Sequence, residues 1–140
     1  MISPATPKRD LTLSAGIVDL LFELAGETPD REVCGFLMGD IETGIPQSAV
    51  PVPNIAKDPL QEYEMDPAVV REIWIRRRTE IVGTYHSHPH GVALTSGRDR
   101  MLIRATRLSM AIISPSTNEI RIYGMWDADT IRELSKYRLA

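Results

Sequence analysis

Apolar positions along the chain change their period several times, and each change marks an element. Residues 1–10 are rich in proline and charge and read as a loose lead-in. Residues 11–13 read as a short strand or entry segment. Ser14 then stands ahead of Ile17, Leu21 and Leu24, which share one side of a helix running to about residue 25. Gly26 sits where such a helix would stop. Pro29-Asp30-Arg31 is a turn. Glu32 follows, and after it the unbroken run V-C-G-F-L-M-G over 33–39. An apolar run this short, bounded by turns, suits a buried strand at the centre of the sheet rather than a helix. Residues 40–46 read as a connection punctuated by Gly44 and Pro46.

The next strand candidate covers residues 49–54. Pro51 and Pro53 cannot donate ladder hydrogen bonds, which places it at a sheet edge. A polar loop follows to Met65. Asp66-Pro67 starts a helix, a capping carboxylate with proline in the first turn. Along it Val70, Ile73, Trp74 and Arg77 recur at helical spacing, with Trp74 on the core face. Residues 81–85 form a short strand that runs into His86. A helix is predicted over 96–107, then strands over 108–114 and 119–126 joined by a P-S-T-N turn, with Trp126 packing at the strand end. Asp127 caps a last predicted helix carrying Ile131 and Leu134. Four helix signals interleaved with strands imply an α/β layered domain with a mixed central sheet, spanning residues 11–140.

Composition narrows the classes. The chain has 140 residues, 43% hydrophobic and 25% charged, with a net charge of −3. A chain of this size buries roughly 68–70% of its unfolded surface, so its core needs no metal or disulfide. The acidic balance argues against nucleic acid as a partner. No apolar run approaches a membrane span, and residues 1–5 do not resemble a secretory signal. The single Cys34 suits a reducing, cytoplasmic setting and reads as strand core. Arg76-Arg77-Arg78 closes its helix where cations suit the dipole, as a solvated face or a docking patch.

The chemistry concentrates in one place. All three histidines fall in His86-Ser87-His88-Pro89-His90. At the strand period of two, His86 and His88 point the same way and can converge on one ion. Ser96-Gly97-Arg98-Asp99 follows. If Ser96 caps a helix, Asp99 lies in its first turn and faces back toward the cap. Two imidazoles and one carboxylate make a three-ligand site with a fourth tetrahedral position open to water, the layout of catalytic zinc. Taken singly, His-x-His also fits a polar loop, and S-x-x-D also fits a capping box. His90, between Pro89 and Gly91, reads as a cleft-rim residue or as having no role.

In combination, Glu32 before its apolar run, H-S-H-P at 86–89 and S-x-x-D at 96–99 resemble the JAMM (MPN+) metalloprotease family. Asn54 and Met65-Asp66-Pro67 are also similar to that family, and the resemblance spans about residues 11–126. Thr95 departs from it, since many members carry proline there. The resemblance implies a cytidine-deaminase-like fold, Zn²⁺ as cofactor, His86, His88 and Asp99 as zinc ligands, Glu32 as general base, and Ser96 as the hydroxyl that orients water and steadies the oxyanion. It further implies hydrolysis of the amide bond after the C-terminal glycine of a ubiquitin-like protein. The stretch between Glu32 and His86 leaves no room for the long insertions of eukaryotic deubiquitinases. A minimal prokaryotic member is therefore implied, acting on sulfur-carrier proteins that end in Gly-Gly, with release of cysteine as one form of the reaction. Three alternatives stay open at this level. They are a catalytically silent MPN scaffold, a RadC-like protein associated with DNA repair, and a two-histidine-one-carboxylate iron oxygenase. Ser87, where the RadC-like group usually has asparagine, and the short N-terminus argue against the second; the helix signals argue against the third.

Overall fold

The computed structural model describes residues 11–139; the lead-in expected over 1–10 lies outside them. Helix α1 spans Ala15–Glu27, β1 Cys34–Asp40, β2 Ile45–Val52, α2 Pro67–Arg77, β3 Ile81–Ser87, α3 Gly97–Thr106, β4 Ser109–Ser114, β5 Glu119–Met125 and β6 Ile131–Arg138. A short 3-10 turn, Arg78–Glu80, links α2 to β3. The six strands form one mixed sheet in the order β2-β1-β3-β4-β5-β6, parallel only between β3 and β4. No helix among the described residues is long and apolar enough to cross a membrane.

Alternation along the strands loads both faces. Leu37, Tyr85, Ala111, Ile113, Ile120 and Ile122 pack on one face against Ile17, Val18 and Leu21 of α1, with Leu11 and Leu13 of the entry segment beside them. The opposite face carries Phe36 and Met38 against Ile73 of α2, and Met110, Ile112 and Tyr123 against Ile103 of α3. Three of the four predicted caps are made, while Asp127 accepts from the Asp129 and Thr130 amides in a turn with no helix after it. Ser14 Oγ accepts from the Ile17 amide, Asp66 from the Ala68 amide, and Ser96 from the Asp99 amide. The proline-bearing strand indeed lies at a sheet edge. It starts earlier than expected, at Ile45, because Gly44 adopts φ 69° and closes a tight turn after Asp40. Likewise α1 continues through Gly26 to Glu27.

Three expectations are corrected. The last segment is not a helix but edge strand β6. A bulge sets Ser135 opposite Ile122 and Glu133 opposite Tyr123, leaving Leu134 as the extra residue. The three-residue spacing of Ile131 and Leu134 comes from that bulge: Leu134 packs on the α1 face and Ile131 on the other. Trp74 is 53% exposed, so it is not core; Trp126, directly after β5, is 59% exposed. Arg132 covers the Trp126 ring at 4.8 Å, which supplies in cation–π contact what burial does not. The strand that follows Glu32 is interior but not central, since β3 and β4 occupy the middle of the sheet.

Candidate functional site

The pairing of β1 with β3 assembles the site. Cys34 lies opposite His86 in antiparallel register, so the residue two before Cys34 falls beside His88. Glu32, His86 and His88 thereby form a group that could hold a metal ion, each offering one atom within 4.8 Å of the others. The two imidazole Nε2 atoms face each other at 3.2 Å. Helix α3 brings Asp99 to them: Oδ1 is 3.3 Å from His86 Nε2 and Oδ2 is 3.8 Å from His88 Nε2. His86 is 1% exposed, Asp99 2% and Glu32 6%.

Both readings of S-x-x-D hold together. Ser96 Oγ accepts from the Asp99 amide at 3.0 Å, and Asp99 Oδ2 accepts from the Ser96 amide at 2.9 Å, a complete capping box. The cap aims Asp99 at the histidines and leaves the Ser96 hydroxyl proton available to donate. His88 Nδ1 is 2.9 Å from the Val92 carbonyl. That carbonyl can only accept, so Nδ1 carries the proton and Nε2 presents a lone pair. His90 is exposed and outside this group. Cys34 is buried, its thiol donating toward the Val52 carbonyl at 3.4 Å, and burial pushes its pKa up to about 12, in keeping with a packing role.

Two features had no sequence signal strong enough to read. Tyr63, an isolated aromatic in a polar loop, stacks on His86 with centroids 4.4 Å apart. The Val92 carbonyl that orients His88 is a backbone group of a loop. Beside Tyr63 an apolar groove of about 720 Å³ opens between α2 and α3, with Trp74, Met65 and Leu102 in its lining and Arg78, Arg98 and Arg107 among its residues. Of the predicted arginine cluster, Arg76 pairs with Glu72 and Arg77 with Glu80, while Arg78 joins the groove.

The two carboxyls are driven apart. Burial raises Glu32 to about 8, aided by the negative charges of Asp99 and Glu62 and opposed by Arg98. Burial also pushes Asp99 upward, but His86, His88 and the Ser96 amide outweigh it and bring Asp99 down to about 2. Burial and the neighbouring His86 lower the pKa of His88. In the metal-free fold the two buried carboxyls therefore differ in proton affinity, Asp99 favouring the charged form and Glu32 the neutral one. The donor set of two imidazole nitrogens and a carboxylate oxygen fits zinc with one position open.

The Glu32 shift has a consequence for stability. An unfolded chain releases this proton near the ordinary value of 4.5, whereas the metal-free fold retains it to about 8. Between these limits the folded state binds more protons, so metal-free protein loses stability as pH rises. Thermal melts of chelator-treated protein at pH 5.5 and 8.5 should show Glu32→Gln gaining on the native chain at the higher pH. Parallel melts would contradict the burial cost assigned to Glu32.

Residues 14–126 match the family described as prokaryotic homologs of the JAB domain. The desampylase of Haloferax volcanii is 33% identical over 132 residues, covering 89% of this chain and 94% of that protein. A protein of Thermus thermophilus named "Probable TtuB-protein conjugate cleaving protease" is 31% identical over 80 residues, 55% of this chain and 52% of its own. A JAB1/MPN domain protein of Archaeoglobus fulgidus shares the fold with a TM-score of 0.53 at 16% identity, over 93% of this chain and 89% of that one.

Proposed function

The chain belongs to the prokaryotic JAB-domain family and is a JAMM-type hydrolase, and we propose that it is a zinc isopeptidase that cuts conjugates of a ubiquitin-like or sulfur-carrier protein after their terminal glycine. One observation carries this reading. Two imidazole Nε2 atoms and the Asp99 carboxylate converge where a second buried carboxyl, Glu32, stands beside them. The names of the Haloferax and Thermus relatives support the substrate class.

His86, His88 and Asp99 would hold the zinc. When bound, zinc would lower the pKa of a coordinated water to about 7 and polarise the scissile carbonyl. Glu32 takes the proton from the attacking water and passes it to the departing amine nitrogen. Oxygen adds to the carbonyl carbon, the C–N bond breaks, and the products are a glycine carboxylate and an amine. The Ser96 hydroxyl, its oxygen already turned to the Asp99 amide, donates its proton toward the oxyanion.

The substrate enters as an extended tail. Strand β2 is one of the sheet's two edge strands, and a tail can pair with its free edge through main-chain hydrogen bonds. Glycines at the cut suit a narrow passage because they carry no side chain. The groove between α2 and α3 takes the globular body of the carrier, its arginines suiting an acidic partner. Conjugates ending in Gly-Gly before the scissile bond should be cleaved and those with Val-Val should not. The intact carrier should also outpace its isolated tail peptide in kcat/KM. Equal turnover of glycine and valine substrates would overturn the tail reading, and equal kcat/KM for carrier and peptide would remove the groove from it.

A further inference from the structure

Glu32 precedes the first ladder residue of β1, Cys34, so the sheet alone does not hold it. Groups outside the proposed ligand and base set do so instead. Asn54, just past the end of β2, uses its full hydrogen-bonding capacity. Its Nδ2 donates to the carbonyls of Glu32 at 2.9 Å and Glu62 at 3.1 Å. Its Oδ1 accepts from the amides of Ala56 and Glu64, each at 3.0 Å. Two carbonyls on one side and two amides on the other fix the orientation of the carboxamide. The Glu32 amide donates to the Pro59 carbonyl of the same loop at 2.7 Å. On the other flank stands Ser87, fully buried between the two histidines. Its Oγ accepts from the Val33 amide at 2.9 Å, and its own amide donates to the Val33 carbonyl at 3.0 Å.

We infer that Asn54 and Ser87 are positioning residues for Glu32, one anchoring its carbonyl from the loop and the other tying the next residue to the histidine strand. Strand period explains the choice of Ser87. The residue between two side chains aimed at one face points away from it, toward the neighbouring backbone. This inference rests on the reading of Glu32 as the base. Proton transfer needs the carboxylate within hydrogen-bond reach, and a misplacement near 1 Å costs about 10²-fold in rate.

Asn54→Ala and Ser87→Ala should therefore lower kcat by about 10–10²-fold, with KM within about twofold and zinc content unchanged. Ser87→Thr, which keeps the hydroxyl, should recover most of the rate. Amide exchange gives a readout free of turnover: Val33 should exchange faster in Ser87→Ala than in Ser87→Thr, and Glu32 faster in Asn54→Ala. Asn54→Asp serves if Asn54→Ala does not fold. Folded, zinc-loaded variants with native kcat would overturn the inference. So would rate loss that only tracks zinc loss, or unchanged exchange at Val33 and Glu32. A native protein without activity on carrier conjugates would overturn the functional reading, and the exchange data would then decide the positioning role alone.

Discussion

Glu32→Gln should keep zinc and substrate and lose roughly 10²–10⁴-fold in turnover, the usual scale for removing a general acid–base group. That loss corresponds to about 3–5 kcal/mol of barrier. Glutamine preserves the shape and the backbone clamp of Glu32, which runs through its carbonyl and amide. It can still hydrogen-bond a water, but it cannot take a proton near neutral pH. Proximity alone would also allow Glu32 as a ligand, since its carboxylate lies with both imidazoles. Geometry favours the base: the capping box holds Asp99 against both histidines as the third ligand, which leaves Glu32 beside them to handle the proton. Metal content and cleavage rate on the same preparation separate the roles. Lost zinc would make Glu32 a ligand, and unchanged turnover would move the base elsewhere.

Asp99→Ala should abolish stoichiometric zinc while the domain still folds. The α1 side of the sheet has its own core of Leu21, Leu37, Ile113, Ile120 and Ile122, remote from the metal group. Asp99 also closes the α3 capping box as its N3 residue, so Asp99→Ala should lose helix-end stability as well. Asp99→Asn isolates the metal effect, since its carbonyl oxygen can still accept from the Ser96 amide while the neutral amide is a poor ligand. Full zinc in Asp99→Asn and Asp99→Ala would remove Asp99 from the ligand set. Metal analysis of anaerobically purified native chain should find zinc; iron in its place would favour a facial-triad centre.

Much of this was legible along the chain because the signals are local. The 33–39 run, the caps at Ser14, Asp66 and Ser96, and the prolines of β2 each describe the geometry of their own segment. The same holds for His86 and His88: two residues apart on a strand, their convergence follows from period alone. The S-x-x-D cap likewise turns Asp99 back toward its own helix start whatever lies beyond it. The combination of these motifs with Glu32 carries the family resemblance in the sequence alone.

What the tertiary structure decided are the relations between segments. Glu32 meets His88 only because β1 and β3 pair in one register, Cys34 against His86; a slip of one residue would turn Glu32 to the other face. The same dependence explains the misread C-terminus. Ile131 and Leu134 look helical in isolation, and only a bulge opposite Ile122 and Tyr123 makes them strand residues on opposite faces. Trp74 fits a core face by spacing, yet the groove between α2 and α3 leaves it open. The ionisation of Glu32 and Asp99 belongs to this class too. Identical chemistry in two carboxyls yields opposite shifts, because desolvation and neighbouring charge come from residues that only the fold brings near.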